Sequence, residues 1–412
     1  MTQTTDVLII GAGPAGLMAA EIIAEAGRSV LVVDAMPSAG RKFLLAGRGG
    51  LNLTHSEGVD DFLARYRGAQ PHITPLIEAF SPLDLIDWCE GLGQPTFTGT
   101  SGRVFPKSFK TSPLLRAWLQ RLTGLGVRFA FRHRWTGWNS QGQAMFSTPV
   151  GEQVIESRAS LLALGGASWP RMGSDGGWVG IFEREGVTVT PLKPSNMGLN
   201  IAWSDILRNR FAGEPIKRAA LTHDGVTIRG EAIVSERGLE GGAVYALSAP
   251  IRDAVMAHGS TTITIDLRPD LPLALIEEKL RQQRAKASAS TFLHRAAGLA
   301  PIGIALMREA CGGPLPVDAK ALAALVKAVP LTVRGIEGIE RAISTAGGVA
   351  FEGLTPHLMI RAKPGVFVAG EMLDWEAPTG GYLLQAGFAT AVAAAHGIIG
   401  YLGHDEGSSP DQ

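Results

Sequence analysis

Gly11-Ala-Gly13-Pro14-Ala15-Gly16 stands between an apolar, β-branched run, Asp6 to Ile10, and a helical stretch, Ala15 to Ala26. The chemistry open to that spacing is the binding of a dinucleotide pyrophosphate. Gly11 makes the tight turn, Gly13 lets the backbone approach the phosphates and Gly16 lets helix and strand pack closely, while the helix N-terminus offers free N–H groups to phosphate oxygens. Asp34, followed by Ala35, ends the next buried run, Ser29 to Val33, where it would accept hydrogen bonds from an adenosine ribose. Strand, turn, helix, strand and acid in register make a βαβ unit with parallel strands.

NAD and FAD share this cradle, so the fingerprint alone does not choose between them. The far end of the chain does. Val366 to Gly370 is a further buried strand with Glu371 at its carboxyl end and Asp374 beyond it. Thr379-Gly380-Gly381-Tyr382-Leu-Leu-Gln385 then opens a helix whose amino end can face an isoalloxazine ring or a pyrophosphate. A late strand and helix that return to complete an amino-terminal domain are similar to the two-part FAD site of glutathione-reductase-like flavoproteins. The glycine-rich stretch Gly40 to Thr54, with Arg41, Lys42, Gly47, Arg48 and Asn52, reads as a binding loop. Leu161 to Gly166 repeats the strand-then-glycine pattern, bringing Gly165 and Gly166 to the site. Trp135 is counted with the cofactor-binding residues, and Trp169, Trp178 and Trp375 fall near glycine-rich turns where they can flank a flavin or an apolar substrate.

In these motifs the chain resembles the BaiN-like (YhiN-like) bacterial flavoproteins, of the aminoacetone-oxidase and bile-acid dehydro-reductase type. The resemblance rests on Gly11 to Gly16, on Gly40-Arg-Lys-Phe-Leu-Leu-Ala-Gly47 leading to Asn52-Leu-Thr54, on Gly102-Arg-Val-Phe-Pro106, on Ala163 to Gly166, on Thr345-Ala-Gly-Gly-Val349, and on Gly370-Glu371 with Thr379 to Gln385. It implies a glutathione-reductase-like Rossmann FAD-binding domain, α/β in class, interrupted by a β-rich substrate domain with a small helical insert. It also implies that Arg41, Lys42, Gly47 and Asn52 lie along FAD. Two departures stand out. The Gly-Arg-Cys usual before the asparagine is Gly49-Gly50-Leu51 here, with the arginine at Arg48, and the usual Tyr-Asn pair is Tyr382-Leu383.

Reduction of a carbon–carbon double bond by flavin needs a hydride from N5, a proton source on the opposite side, and positive charge to hold the substrate's carbonyl or carboxylate. The candidates are Arg48, His55, Arg103 and Lys107, the last two in the donor-rich segment Ser101 to Lys110. The histidines show no metal-binding spacing, so no metal is expected. Cys89 and Cys311 form no C-x-x-C pair, which removes a disulfide scaffold and a dithiol couple and fits a cytoplasmic setting. The 38 basic side chains balance 38 acidic ones, so no global field draws the chain to nucleic acid or acidic lipid. No signal peptide is readable at the amino terminus. The apolar run Tyr382 to Leu402 is long enough to span a membrane, but Gln385, Thr390, His396 and many alanines make a buried helix the better reading.

At 412 residues, 45% of them hydrophobic, the chain can bury two or three cores. The expected division is a discontinuous FAD domain over 1–190 and 343–412, a β-rich domain over 191–270 and 330–342, and a helical insert over 271–329. The expected function is non-covalent FAD-dependent hydride transfer between flavin N5 and a small, apolar substrate. With no second G-x-G-x-x-G in the chain, NADH or NADPH would be a transient donor at the flavin face. The alternatives are a tRNA-modifying type of flavoprotein and a non-catalytic flavin-binding redox protein.

Overall fold

The structure is a computed structural model and describes residues 3–282 and 288–407. It divides into two compact units, residues 1–194 with 343–412, and residues 195–342.

The first unit is built on a seven-stranded sheet. Arg128–Phe131, Val30–Asp34, Gln3–Ile10 and Gly151–Leu162 lie side by side in parallel. The twelve-residue strand Gly151–Leu162 pairs along one edge with Gln3–Ile10. Its other edge is shared by the antiparallel strand Ala144–Thr148 near the start and by the parallel strand Val366–Val368 at the end. Ile9 sits opposite both Val32 and Leu161, and all three are fully buried. Strands covered on both faces need no polar alternation, which is why these runs read as continuous valine, isoleucine and leucine.

The helix Pro14–Glu25 follows the first strand, and the late helix Tyr382–Gly407 packs against it. Ala19, Ala20, Ala386, Ala389, Ala394 and Ala395 are buried, and such small side chains let helices approach closely. Tyr382–His404 is long and apolar enough to cross a membrane, yet two-thirds of its most apolar window is buried within the protein.

Gln70–Ala79 and Pro82–Gly91 are separate helices, because Ser81 forms a capping box with Asp84 and restarts the helix at Pro82. The Gly40 to Thr54 loop contains a helical turn, Arg41–Ala46. Residues 215–234 form a hairpin, Pro215–His223 against Val226–Val234. Its two turn residues, Asp224 (φ 46°) and Gly225 (φ 76°), both have positive φ, the mark of a type I′ turn.

The second unit carries an antiparallel seven-stranded sheet and, beside it, the helices Gly242–His258, Leu273–Leu280, Ala289–Ala297, Pro301–Cys311 and Ala319–Lys327. The segment expected as a helical insert, 271–329, carries the last four of these helices and packs on the sheet. Ile276, Leu293, Ile302 and Leu322 share one apolar core with Ile263, Val329 and Leu331 of the sheet.

Candidate functional site

The site begins where the first strand ends. Gly11 has φ 115°, and a Cβ there would stand 2.2 Å from the Ala163 carbonyl oxygen, so the turn is pressed against the end of the neighbouring strand. Gly13 caps the helix with Pro14 at its first turn, and a Cβ on Gly13 would meet nothing within 4 Å. That open space is the cleft. The helix's first-turn N–H groups have no partner within the helix and carry its positive end.

Asp34 closes the cradle. Its Oδ2 accepts from Ala12 N and its Oδ1 from Met36 N, each at 2.7 Å. Burial pushes its carboxyl above the usual range, against the pull of those two N–H groups and of Arg41 and Arg134.

The cleft encloses about 820 Å3, toward the top of the roughly 300–1,000 Å3 range of small-molecule sites. Arg41, Asn52, Trp135 and Ser174 all line it. Each has a fully buried polar atom without a hydrogen-bond partner: Arg41 Nε, Asn52 Oδ1, Trp135 Nε1 and Ser174 Oγ. A buried unsatisfied polar atom costs about 1–3 kcal/mol. Four of them in the lining of one cleft, some donors and some acceptors, are what a large ligand with phosphates, hydroxyls and ring nitrogens would satisfy. The residues present therefore fit FAD.

Lys42 and Glu371 meet across the cleft lining. Lys42 Nζ lies 2.7 Å from Glu371 Oε2 and donates to Ser168 Oγ at 2.6 Å, while Glu371 Oε1 accepts from Thr345 N at 2.9 Å. Lys42 is thus a paired cation within the cleft lining. Nearby, Gly381 has φ 108°, and a Cβ there would fall 2.4 Å from the Thr54 carbonyl carbon. The turn Thr379 to Gly381 lies directly on the Thr54 backbone.

Of the expected cofactor residues, Gly11, Gly13, Pro14, Ala15, Asp34, Ala35, Arg41, Lys42, Asn52, Trp135, Gly165, Gly370, Glu371, Thr379, Gly380 and Gly381 line the cleft. Six others stand behind it. Gly16 packs on the Gly11 carbonyl, and Gly47 and Gly166 pack on Thr111 and Thr345. Asp374 accepts from Thr190 Oγ1 at 2.6 Å. Tyr382 donates to Glu57, and Gln385 Nε2 donates to the Phe80 carbonyl. These residues shape the wall without facing the cavity.

The catalytic candidates fare differently. His55, Arg103 and Lys107 are not in the cleft lining. His55 Nδ1 accepts from Glu57 N at 3.1 Å and Nε2 lies 2.9 Å from the Ser101 carbonyl, so both ring nitrogens are engaged. Arg103 Nε sits 3.7 Å from where a Cβ on Gly380 would be, at the margin of the site. Lys107 is exposed. The Arg48 side chain lies outside the described residues. Sequence reasoning passed over Met36, His133, Arg134, Ser174 and Ser344, which line the cleft. The run Gly173-Ser-Asp-Gly-Gly177, soon after Gly165-Gly166, was the available signal for Ser174. Trp169, Trp178 and Trp375 all reach the lining, and Trp178 Nε1 donates to the Gly165 carbonyl at 2.9 Å. Among the described residues no cluster of His, Cys, Asp or Glu could hold a metal ion.

Fold and site together define an FAD-dependent oxidoreductase. The family described as "HI0933-like protein Rossmann domain" matches residues 5–397, and the chain belongs to it. It is 25% identical over 406 residues to the "Ribosomal RNA dihydrouridine synthase" of Escherichia coli (strain K12), covering 96% of this chain and 98% of that one. It is 24% identical over 401 residues to the "3-dehydro-bile acid delta(4,6)-reductase" of Clostridium scindens, covering 94% and 97%. Among solved structures, the 3-ketosteroid-delta4-(5alpha)-dehydrogenase from Rhodococcus jostii RHA1 aligns with a TM-score of 0.55 at 17% identity, over 96% of this chain and 97% of that one. A flavocytochrome c3 fumarate reductase aligns at 0.53 and 17% identity, over 97% and 78%. At such identity these two likenesses concern the fold alone.

Proposed function

We propose that this protein moves hydride between FAD N5 and a carbon–carbon double bond conjugated to a carbonyl, in a small, apolar substrate, with NADH or NADPH as transient donor. The observation that carries the reading is the cleft itself, where four orphaned polar atoms surround one cavity at the amino end of the fingerprint helix. Bound FAD supplies a two-electron centre that gives or takes hydride. The chain does the rest. The helix N-terminus and Arg41 hold negative charge, Asp34 accepts ribose hydroxyls, and the Lys42–Glu371 pair fixes the cleft wall without adding net charge. Trp169, Trp178 and Trp375 shed water from the cavity and offer apolar faces to the substrate.

Anaerobic addition of NADH and of NADPH to the purified protein, followed by an enone, tests the proposal. Flavin absorption that bleaches with one nucleotide and returns with the enone is the expected result. A colourless protein that FAD cannot reconstitute sinks it.

A second substrate class has its own support. The name of the Escherichia coli relative, and of one from Haemophilus influenzae at 24% identity, specifies ribosomal RNA dihydrouridine synthesis. The C5–C6 double bond of uracil is conjugated to the C4 carbonyl, so it asks the same chemistry of the cleft as an enone.

A further inference from the structure

Arg41 and Lys42 are neighbours in one helical turn, Arg41–Ala46, and both line the cleft, yet their surroundings differ. Arg41 keeps a buried Nε without a hydrogen-bond partner, which suits it to an anionic ligand. Lys42 already has its counter-charge, the Glu371 carboxylate at 2.7 Å. A phosphate approaching Lys42 would meet that carboxylate as well, so the pair is a poor match for a group that arrives charged.

Four separate elements hold the ammonium. Lys42 comes from the helical turn, Ser168 from the loop after the strand Gly151–Leu162, Thr345 from the strand Ser344–Val349, and Glu371 from the turn after Val366–Val368. Lys42 Nζ donates to Ser168 Oγ at 2.6 Å and to Glu371 Oε2 at 2.7 Å. Glu371 is fixed in turn, its Oε1 accepting from Thr345 N at 2.9 Å, and Ser168 is fully buried. A Cβ on Gly165 would stand 3.8 Å from Glu371 Oε2, so the pair is seated against the glycine turn. Pinning a lysine in this way forfeits side-chain entropy that a surface lysine keeps.

An ammonium has three N–H donors and no acceptor. Two are spent on Glu371 and Ser168. Lys42 belongs to the cleft lining and its side chain is 27% exposed, so the third donor is open to whatever fills the cavity.

We propose that Lys42 gives this third N–H to the flavin ring and meets the negative charge that arrives there with a hydride, while Glu371 and Ser168 position the ammonium. Toward an oxidised, uncharged ring, Lys42 and Glu371 together present no net charge. A hydride carries two electrons and one proton, so its arrival adds one negative charge, which a fixed N–H stabilises with no rearrangement of the wall. The nicotinamide that supplies the hydride leaves oxidised. For the presence of the ring the inference rests on the hydride-transfer reading; for the held ammonium it rests on the cleft wall.

Midpoint potentials of the flavin-loaded parent, Lys42→Met and Glu371→Gln, each equilibrated with a reference dye, test the assignment. Lys42→Met leaves the Glu371 carboxylate unopposed in the wall, so reduced flavin should be disfavoured about tenfold, a fall of roughly 30 mV for a two-electron couple. Glu371→Gln keeps an acceptor for Lys42 but removes its counter-charge, and the potential should rise by a similar amount. Opposite signs are the decisive result, because loss of a merely structural tie would move both variants the same way or neither. Flavin affinity is read alongside, from the fluorescence of released flavin. Shifts of one sign, or weaker flavin binding with both potentials unmoved, overturn the assignment and leave Lys42 to another part of the cofactor. If one variant holds no flavin, the sign of the other decides; if neither does, the pair is a binding element and the assignment falls. Parent flavin that bleaches with NADH or NADPH beside variants of unmoved potential sinks this inference alone. Opposite shifts in a protein that never passes hydride to an enone sink the substrate reading alone.

Discussion

The Tyr382 hydroxyl donates to Glu57 Oε1 at 2.6 Å, joining residues 325 apart in sequence. The same carboxylate accepts from Arg65 Nε at 3.1 Å and Nη2 at 2.7 Å. Tyr66 donates to the Tyr382 carbonyl at 2.8 Å, and the His55 ring stacks on Tyr382 at 5.4 Å. Because Gly380 and Gly381 line the cleft immediately before Tyr382, this clamp fixes the turn that borders the cofactor space. Burial, and then the hydrogen bond to Glu57, raises the phenol above its ordinary value, so it remains a donor at neutral pH.

Tyr382→Phe is expected to cost about 1–2 kcal/mol in urea unfolding, since Glu57 keeps its arginine but loses one donor. The same change should loosen the turn and weaken FAD binding severalfold, measured by flavin fluorescence. A stability loss with no change in FAD affinity would make the clamp merely structural.

Glu57 also sets a pH dependence. Burial works to raise its carboxyl, but hydrogen bonds from Arg65 and Tyr382 outweigh it and hold the group below the ordinary 4.5. A carboxyl with a depressed folded value stabilises the protein fully above its unfolded value, and that contribution drains away as pH falls through the folded one. Unfolding midpoints should therefore drop below about pH 4.5, and Glu57→Gln should flatten that acid limb while lowering stability at neutral pH. An acid limb unchanged in the variant would remove Glu57 from the account.

Two fingerprint glycines should fail in opposite ways. Gly13 has φ −83° and open space before it, so Gly13→Val should fold but fill the phosphate approach and yield protein without flavin. Gly11→Val meets the Ala163 carbonyl and a positive φ, and should be lost to misfolding before flavin binding matters. Circular dichroism and flavin absorbance on the two soluble fractions separate the outcomes. A flavin-loaded Gly13→Val protein would contradict the cradle.

The fingerprint could be read from sequence because its determinants are local. The strands Gln3–Ile10 and Val30–Asp34 and the helix Pro14–Glu25 fall within a few residues of the expected bounds, since burial on both faces and glycine punctuation write themselves into short windows. The hairpin at Asp224-Gly225 is as local, a two-residue turn with positive φ at both positions. His55 is another matter. Its partners, the Ser101 carbonyl and the Tyr382 ring, are set by long-range folding. No spacing rule reveals that both its nitrogens are engaged. Tyr382 likewise sits in a motif that reads as cofactor-facing, yet one residue beyond Gly381 the helix turns its side chain toward Glu57.

Trp135 offers the sharpest test of the orphan argument. Its indole nitrogen is buried on the cleft wall without a partner, and its ring packs edge-on against Trp138 at 4.8 Å and Phe182 at 6.1 Å. In the flavin-free protein Trp135→Phe loses ring area but also sheds an unsatisfied donor, so the two effects oppose and stability should change by less than about 1 kcal/mol. With FAD present the donor is missed, and affinity should fall about tenfold, equivalent to roughly 1.4 kcal/mol. Thermal unfolding with and without FAD distinguishes the cases: the variant and the parent should melt together when apo and separate when loaded. If both pairs differ equally, the indole N–H serves the fold and not the cofactor.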